Sequence, residues 1–263
     1  MQPICLHNKD EIEEFLRQDP FLHLYALGDL DDFFWQHTTW YALKEGQSIQ
    51  QIVLFYTGSP LPVLLAFSRE PMEQMEKLLR SILHLLPRKF YAHLSKNLAR
   101  VLMEDYQVQG HGLHYKMGLS HPSCLLALET SDAFQLSPAD IEELEAFYRI
   151  SYPGNWFEPR MLETGYYYGI RRNTLLFGVA GVHVYSQRYQ VAALGNITVH
   201  PNFRGQGIGT IVCARLCQAL LPTVELIGLN VKADNISAIR CYTKLGFKAI
   251  ASYEEYSLLK LSS

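Results

Sequence analysis

A glycine-rich segment between a β-like run and an amphipathic run is where the sequence most clearly indicates chemistry. Residues 197–216 read ITVHPNFRGQGIGTIVCARL, with an arginine followed by three glycines at alternate positions, Arg204, Gly205, Gly207 and Gly209. Glycine lets a backbone turn sharply and approach a ligand closely. The first turn of the helix predicted to follow presents unpaired N–H donors at the positive end of its dipole. The segment could be a simple tight turn, but the same arrangement suits the binding of a pyrophosphate.

Two common phosphate-binding motifs do not fit this segment. The Rossmann fingerprint has a different glycine spacing and an acidic residue about 20 positions further on. The P-loop needs Gly-Lys-Ser/Thr, which is missing here. The segment instead resembles the acyl-CoA loop of the GNAT N-acetyltransferase superfamily, whose form is V-x-P-x-x-R-G-x-G-x-G. Every position of that form is filled, by Val199, Pro201, Arg204, Gly205, Gly207 and Gly209.

A second segment resembles the same superfamily at its usual distance from the first. Residues 229–247, LNVKADNISAIRCYTKLGF, have the form N-V-x-x-x-N-x-x-A-x-x-x-Y-x-K-x-G-F, matched at Asn230, Asn235, Ala238, Tyr242, Lys244, Gly246 and Phe247. Two linked motifs in the right order make a coincidence improbable. The resemblance covers roughly residues 123–263 and implies an N-acetyltransferase that uses acetyl-CoA, the coenzyme A thioester.

The resemblance implies a set of residues that hold the cofactor. These are Ile197, Thr198, Val199, Arg204, Gly205, Gln206, Gly207, Ile208, Gly209, Thr210, Asn230, Asn235 and Tyr242. By the same resemblance, the backbone of the strand before the loop pairs with the pantetheine amides. Gly195 could relax that strand where family members bulge and splay from the next strand. Asn235 is better placed to cap a helix, with a cofactor contact as the rival interpretation.

The catalytic roles follow from what acetyl transfer to an amine requires. Tyr242 matches the family tyrosine near the CoA sulfur and could give a proton to the departing thiolate; its rival role is a packed aromatic. Backbone N–H groups near Ile197 to Val199 are placed by resemblance to stabilise the carbonyl oxygen. Holding both reactants together can supply much of the rate by itself.

The general base is left open by the sequence. Some family members carry a glutamate on the strand before the glycine loop, where this chain offers Asn196, which cannot accept a proton. The candidates elsewhere are Glu158, His183 and Tyr185, acting directly or through water. A relay of ordered water without a dedicated base is equally open, as are structural roles for His183 and for Glu158 as a helix cap.

The loop SYPGNWFEPR, residues 151–160, falls where family members place their acceptor-binding helix and loop. Tyr152, Trp156 and Phe157 could wall a pocket for a small or amphipathic amine. They could equally seal two domains together. The sequence does not choose between these alternatives.

The elements that must position these residues occur in two series. Strand-like stretches between Thr38 and Phe67, a helix from about Pro71 to Leu86, a strand, a short helix and a β-like tail form the first series. A second series begins at Leu136, where Ser137, Pro138 and Asp140 form a capping-box pattern. We expect an α/β (α+β) mixed sheet in two GNAT-like domains, residues 1–120 and 121–263. The counterpart loop of the first half, LAFSREPMEQMEKLL, contains no glycine, so that domain is predicted to be degenerate and without CoA.

Composition excludes several classes of function. Of the 263 residues 48% are hydrophobic and 19% charged, with a formal net charge of −3, which gives no electrostatic footprint for nucleic acid or an anionic membrane. The N-terminus is too polar for a signal peptide, and no apolar run approaches the ~20 residues of a membrane helix. Five cysteines without metal-ligand spacing indicate no metal site and a reducing, cytoplasmic setting.

The sequence therefore predicts an acetyl-CoA-dependent N-acetyltransferase that acylates a primary amine of a small molecule or amino-acid derivative. Two alternatives remain, an acetyltransferase for peptide or protein amines and a non-catalytic acyl-CoA-binding regulatory module. No nucleic-acid or membrane partner is expected. A homodimer is left open, and the acceptor and the acyl-chain preference are not specified.

Overall fold

The computed structural model describes residues 3–69, 71–172 and 175–261. In chain order its strands and helices are β1 (Ile4–Leu6), α1 (Lys9–Leu16), α2 (Leu24–Gly28), α3 (Asp32–Trp35), β2 (Thr38–Glu45), β3 (Ser48–Tyr56), β4 (Val63–Ala66), α4 (Glu73–Ile82), β5 (Lys89–Leu94), α5 (Ala99–Leu102), β6 (Tyr106–Leu119), β7 (Phe134–Gln135), α6 (Ile141–Ser151), β8 (Tyr168–Arg172), β9 (Leu175–Ser186), β10 (Val191–Val199), α7 (Ile208–Leu220), β11 (Leu226–Lys232), α8 (Ile236–Lys244) and β12 (Phe247–Lys260).

The chain forms two compact units. Unit 1 comprises Met1–Lys116, Lys232–Asp234 and Ile250–Ser263, and unit 2 comprises Met117–Val231 and Asn235–Ala249. The change at 116 lies close to the predicted boundary at 120. Unit 1 also takes in the end of the chain, which the sequence-based division gave to the second domain. The division into folding domains 1–120 and 121–263 stays a prediction.

Unit 1 is a mixed sheet in the order β1-β2-β3-β4-β5, followed by the C-terminal part of β12 and then β6. The first strands pair antiparallel, and β4 pairs parallel with β5 from Val63↔Tyr91 to Ala66↔Leu94. Helix α4 packs on one face through a stripe at helical spacing, whose members are all fully buried: Met75, Leu78, Leu79 and Ile82. This stripe and the inward residues of β4 and β5 belong to one core cluster.

Unit 2 contains a sheet in the order β11-β10-β9-β8-β7. Strand β10 pairs antiparallel with β9 and parallel with β11. Helix α7 packs against this sheet through buried apolar residues, Ile208, Val212, Leu216 and Leu220. The predicted capping box is present: Ser137 and Asp140 bond reciprocally around the 3-10 turn Pro138–Asp140, which leads into α6.

The element predictions hold in most places. The helix expected from about Pro71 to Leu86 is α4, shorter than predicted and followed by a 3-10 turn at Leu83–Leu85. The sequence of residues 121–135, HPSCLLALETSDAFQ, predicts a strand and a connector between the two halves. That prediction is wrong at the start of the segment, since Pro122–Leu125 is a 3-10 turn and strand pairing begins only at Phe134. Proline at 122 suits the first position of a helical turn and lacks the N–H that a strand ladder needs. Within the described ranges, no helix combines the length and apolar character needed to cross a membrane.

Candidate active site

The central feature of unit 2 is a pair of parallel strands that stop pairing halfway along. The register of β10 with β11 runs from Val191↔Leu226 to Leu194↔Leu229. Strand β10 then continues to Val199 paired with β9, and β11 continues to Lys232. Beyond Leu194, the backbone of β10 on the side of β11 is therefore no longer paired with β11. Such a backbone can offer its N–H and C=O groups to an extended ligand.

The glycine loop follows directly at the end of this open strand. A 3-10 turn, Pro201–Phe203, leads to Arg204 and then to Gly205 and Gly207, whose φ angles are +78° and +83°. Such left-handed conformations favour glycine over other residues. A side chain at either glycine would meet no atom within 4 Å. The glycines are thus required by the backbone conformation, and they leave the loop bare on its outer side.

Helix α7 begins at this loop without a side-chain cap. Its N-cap residue is Gly207, and its first turn carries no acidic residue. The side chain of Ile208 is buried on Gly178 of β9, where a Cβ would lie 2.5 Å from Ile208 Cγ2. The helix start is thereby fixed against the sheet while its amides and dipole are left for an anion.

Two side chains of the predicted cofactor set brace the loop from behind. Arg204 donates from Nε to the Val199 carbonyl at 3.2 Å and from Nη2 to the Ser151 carbonyl at 3.1 Å. Thr198 Oγ1 donates to the same Ser151 carbonyl at 3.0 Å. In this structure Arg204 therefore holds the loop's shape, and a direct contact of its guanidinium with phosphate stays a prediction.

The structure brings most of the predicted cofactor residues to one place. The exposed or half-buried Ile197, Thr198, Val199, Arg204, Gly205, Gln206, Gly207, Gly209 and Thr210 form one continuous stretch from the open strand to the first turn of α7. Asn230 follows Leu229, the last residue of β11 that pairs with β10. Its buried Oδ1 has no hydrogen-bond partner among the described residues. Asn235 caps α8 by accepting from Ala238 N at 3.2 Å, as the sequence favoured. Tyr242 is 7% exposed on α8, beside Phe247.

The open strand contains an irregularity centred on Asn196. The register of β10 with β9 shifts between Gly195 and Thr198, and Asn196 has φ +54° at 3% exposure. Its carbonyl accepts from Tyr148 OH at 2.9 Å, and its Nδ2 donates to Tyr167 OH at 2.9 Å. Asparagine tolerates this conformation better than most residues. The bulge is thus held by buried hydrogen bonds to the side chain and to the backbone of Asn196.

His183 of β9 lies against this bulge. A Cβ at Gly195 would be 2.3 Å from His183 Cδ2, so the glycine is needed to admit the imidazole. The Asn196 side chain hydrogen bonds the ring, and Nε2 is buried without a partner in the described chain. A neutral imidazole carries a lone pair on one of its two ring nitrogens, and Nε2 is the ring nitrogen without a partner in the described chain.

Burial sets the protonation state of His183. Desolvation lowers the pKa of the ring, and the side-chain hydrogen bond with Asn196 opposes that shift in part. A pKa below the ordinary histidine value keeps the imidazole neutral at pH 7. A neutral imidazole is the form of histidine that can act as a general base.

The other two candidate bases have different surroundings. Glu158 accepts from Arg160 Nε at 2.5 Å and from Trp156 Nε1 at 3.2 Å, and its side chain does not cap the turn Pro159–Thr164. Tyr185 packs on Tyr166 with ring centroids 4.5 Å apart, and burial raises its pKa. A phenol with a raised pKa is protonated at neutral pH. The geometry brings His183, and not Tyr185, to the bulge.

The aromatic residues of the loop 151–160 surround the same end of unit 2. The Trp156 ring lies 5.5 Å from that of His183, and Phe157 lies 5.2 Å from Tyr148. Tyr152 follows α6 and is 44% exposed. Trp156 and Phe157 therefore pack around the histidine and the bulge. That these residues line a pocket for the acceptor amine stays a prediction.

Orphaned polar atoms offer a test of whether acyl-CoA fits this site. Asn230 Oδ1 and Ser151 Oγ are buried without hydrogen-bond partners in the part of the chain that the structure describes. They belong to β11 and to the end of α6, the two segments beside the open strand and its brace. Buried polar groups normally have a hydrogen-bond partner, and a buried group left without one costs about 1–3 kcal/mol. An extended ligand with amide groups and an anionic end suits this set of donors and acceptors.

Comparison with known proteins identifies the class to which this arrangement belongs. Residues 130–247 match the model of the Acetyltransferase (GNAT) family, which spans both motifs. This segment is a GNAT acetyltransferase domain, and the resemblance identified from the two motifs is confirmed. No curated protein sequence matches the chain.

Solved structures extend the fold to the whole chain. A GNAT-family acetyltransferase of Colwellia psychrerythraea is 15% identical and superposes with a TM-score of 0.58, covering 99% of this chain and 100% of that one. A Drosophila protein, 12% identical, gives a TM-score of 0.70 with 98% of each chain covered. A tandem GNAT protein from the clavulanic acid biosynthesis pathway, 14% identical, gives 0.57 over 100% of this chain and 98% of that one. The predicted mixed α/β fold with two GNAT-like domains is thereby confirmed.

Sequence reasoning missed several residues that build the site. Asn196 was considered only as a failed base, whereas it shapes the bulge and orients His183. Tyr148 and Tyr167, which hold Asn196, were not considered as site residues. A Gly-Asn pair inside a strand was the available signal, because both residues tolerate conformations that a regular strand does not use.

Proposed function

We propose that this chain is an acetyl-CoA-dependent N-acetyltransferase that transfers an acetyl group directly to a primary amine of a small molecule or amino-acid derivative. Membership of residues 130–247 in the acetyltransferase family supports acyl transfer from an acyl-CoA. The choice of acetyl-CoA as donor, of an amine as acceptor and of the cytoplasm as compartment is our proposal. The observation that carries it is the neutral His183 held against the bulge of the open strand.

The cofactor would be held by the open strand and the glycine loop. Backbone groups of Ile197 to Val199 would pair with the pantetheine amides, and Asn230 Oδ1 would accept from an amide N–H. The loop Gly205 to Gly209 and the first turn of α7 would bind the pyrophosphate. Bound acetyl-CoA would supply a thioester whose acetyl carbon is open to attack.

His183 would prepare the attacking amine. Its Nε2 is buried without a hydrogen-bond partner in the described chain, and the Asn196 side chain interacts with the ring. The ring would accept a proton from the amine, directly or through one water, as nitrogen adds to the carbonyl. Glu158 already accepts from Arg160 and Trp156, which makes it the weaker candidate.

Tyr242 would serve as the general acid. It lies on α8 in the second family motif, at 7% exposure. Its hydroxyl would protonate the departing thiolate, and strand N–H groups near Ile197 would stabilise the carbonyl oxygen. These roles are carried over from the family motif.

The surroundings of His183 favour a small acceptor over a charged macromolecular surface. The carboxylate of the loop 151–160, that of Glu158, is paired with Arg160. Trp156 and Phe157 supply aromatic surface on the same side. An amine with an apolar body suits these contacts better than an acidic or basic peptide.

A thiol-release assay with acetyl-CoA and a panel of amines tests the proposal. We expect turnover with small primary amines and little with peptides. Turnover with peptides alone would assign the chain to peptide or protein amines. Saturable acetyl-CoA binding without thiol release from any amine would indicate a regulatory acyl-CoA-binding module and overturn the enzymatic proposal.

A further inference from the structure

Unit 1 contains a cavity that the proposed reaction does not use. Its volume is about 620 Å³, which is a usual size for a site that binds a small molecule. The residues that line it come from α1, the segment between α1 and α2, β3, the segment after β4 and the start of α4. All of these elements belong to unit 1, so the cavity lies within one unit.

The buried residues that line this cavity include a histidine. Leu22 and Phe67 are buried and apolar, and the half-buried Phe15 also lines the cavity. His23 is 8% exposed, and its ring centroid lies 6.0 Å from that of Phe15. Among the described residues, neither ring nitrogen of His23 has a hydrogen-bond partner. Because buried polar groups normally have such a partner, the imidazole on the cavity wall indicates a place for a polar group of a ligand.

Burial keeps His23 uncharged. Removal from water lowers the pKa of the ring to about 4, and the positive charges of Lys116 and Arg69 act in the same direction, while Asp19 opposes them. The imidazole is therefore neutral at pH 7. A neutral imidazole offers one N–H donor and one lone pair, so it can form a hydrogen bond with a hydroxyl or an N–H group of a ligand.

The rim of the cavity carries charges of both signs. Arg69 donates from Nε to Asp19 Oδ2 at 2.6 Å, and its two Nη groups have no partner in the part of the chain that the structure describes. Glu73, the first residue of α4, is exposed and has no ion-pair partner within the same ranges. One guanidinium and two carboxylates leave the rim with an excess of negative charge, which disfavours a phosphate or a dicarboxylate. A molecule with one carboxylate and one ammonium group would find a partner for each.

We propose that this cavity binds an α-amino acid whose aromatic side chain ends in a hydroxyl or N–H group. The carboxylate of the ligand bonds the Nη groups of Arg69, and its ammonium group pairs with Glu73. The aromatic side chain packs against Phe15 and Phe67, and its polar end bonds a ring nitrogen of His23. This binding involves no acyl transfer, so it does not depend on the proposed function.

Calorimetry on the full chain with L-tyrosine and three analogues tests the site from the side of the ligand. Each analogue lacks one group: para-hydroxyphenylpropanoate lacks the ammonium group, tyramine lacks the carboxylate and L-phenylalanine lacks the hydroxyl. We expect L-tyrosine to bind saturably, and the loss of either charged group to lower the affinity roughly 10- to 100-fold. L-phenylalanine should bind roughly 3- to 10-fold more weakly, because one neutral hydrogen bond is lost. The absence of saturable L-tyrosine binding, or equal affinities for tyramine and L-tyrosine, would overturn the proposal.

Variants of unit 1 test the same contacts from the side of the protein. Arg69→Gln should lower the affinity for L-tyrosine roughly 10- to 100-fold and leave that for tyramine unchanged, whereas Glu73→Gln should lower both. His23→Phe removes the ring nitrogens, so it should bind L-tyrosine and L-phenylalanine alike; if it does not fold, the two ligands on the wild type test the same contact. Arg80→Gln is the matched control, since Arg80 is an exposed arginine of α4 that pairs with Glu104 outside the cavity lining. Equal L-tyrosine affinities of Arg69→Gln and Arg80→Gln would overturn the proposal.

A variant of unit 2 separates this cavity from the acceptor site of the proposed reaction. His183→Gln should bind L-tyrosine as the wild type does. If His183→Gln lowered the affinity and Arg69→Gln did not, the amino acid would lie in unit 2 and the proposal would fail. If L-tyrosine binds as expected but no amine releases thiol from acetyl-CoA, the proposed function fails and the cavity site stands.

Discussion

The parallel strand pairs β4–β5 of unit 1 and β10–β11 of unit 2 hold the same place in their units but end differently. In unit 2, the pairing between β10 and β11 stops at Leu194↔Leu229, and both strands continue without pairing to each other. In unit 1, pairing ends at Ala66↔Leu94, and Ser95 bridges the strands beyond it. Its hydroxyl donates to the Ser68 carbonyl and accepts from Ser68 N, both at 3.0 Å. One buried serine thus occupies the backbone groups that unit 2 leaves for a ligand.

The helices after these strands also differ at their first turn. Helix α7 begins after Gly207 with no acidic residue in its first turn, whereas α4 begins with Glu73 and carries Glu76 one turn on. A carboxylate at a helix N-terminus satisfies the dipole and repels a phosphate. Under the proposed function, the same fold would hold or refuse a pyrophosphate through a few local side chains. That unit 1 lacks CoA stays a prediction on these grounds.

The largest expected effect separates the histidines of the two units. His183→Gln removes the imidazole held at the bulge, so kcat should fall by roughly 10²–10⁴ with little change in acetyl-CoA affinity. His93→Gln in unit 1 alters a half-buried histidine of β5 near Glu255 and should leave kcat unchanged. Steady-state kinetics and calorimetry measure both quantities. A kcat for His183→Gln within a factor of two of wild type would remove the base from the mechanism.

The pH profile sharpens the same prediction. Burial lowers the pKa of His183, so the ring remains neutral and active as the pH falls through the ordinary histidine range. Activity should be lost only at still lower pH, as the folded-state pKa is crossed. At saturating substrates, log kcat should show an acid limb that is absent from the residual activity of His183→Gln. An acid limb that persists unchanged in the variant would contradict the assignment.

The second prediction compares glycines with the same conformation in the two units. Gly207 in the loop and Gly46 in the β2–β3 turn both have left-handed φ angles and open space around them. Alanine at either position should cost about 1–2 kcal/mol of stability. Only Gly207→Ala should also lower the affinity for acetyl-CoA, roughly 10- to 100-fold, because backbone contacts with phosphate would be lost. Equal affinities for both variants, measured by calorimetry, would place the pyrophosphate elsewhere.

The third prediction concerns the serine bridge of unit 1. Ser95→Ala leaves both backbone groups of the half-buried Ser68 without their Ser95 partner, which should lower the free energy of unfolding by about 1–3 kcal/mol. Ser81→Ala is the control, since that hydroxyl donates to Leu78 of its own helix and should cost less. Binding should remain at one acetyl-CoA per chain in both variants. A second site appearing in Ser95→Ala would mean that the bridge alone closes unit 1.

The sequence predicted the open site of unit 2 more fully than the closed one of unit 1. The glycines, Pro201 and the Asn235 cap are local signals that act within a few residues, so pattern and resemblance suffice to find them. The bridge from Ser95 to Ser68 joins residues 27 positions apart, and neither residue is unusual in its own segment. Likewise, the Asn196–His183 contact depends on the strand register, including a bulge that the residues alone did not fix.

The smallest expected effect concerns the charge at the two helix starts. Glu73→Gln removes a carboxylate from the first turn of α4 and should lower stability by about 0.3–1 kcal/mol, less at high salt because the charge is exposed and screened. Thr210→Glu adds a carboxylate to the first turn of α7. This change should stabilise the free chain by a similar amount and lower its affinity for acetyl-CoA. Denaturation at low and high salt, with and without acetyl-CoA, measures both. If Glu73→Gln and Thr210→Glu changed acetyl-CoA affinity equally, the two helix starts would not differ as the comparison requires. In the free chain the dipole of α7 lacks the negative partner that α4 has within its own sequence, and a bound pyrophosphate would supply that partner.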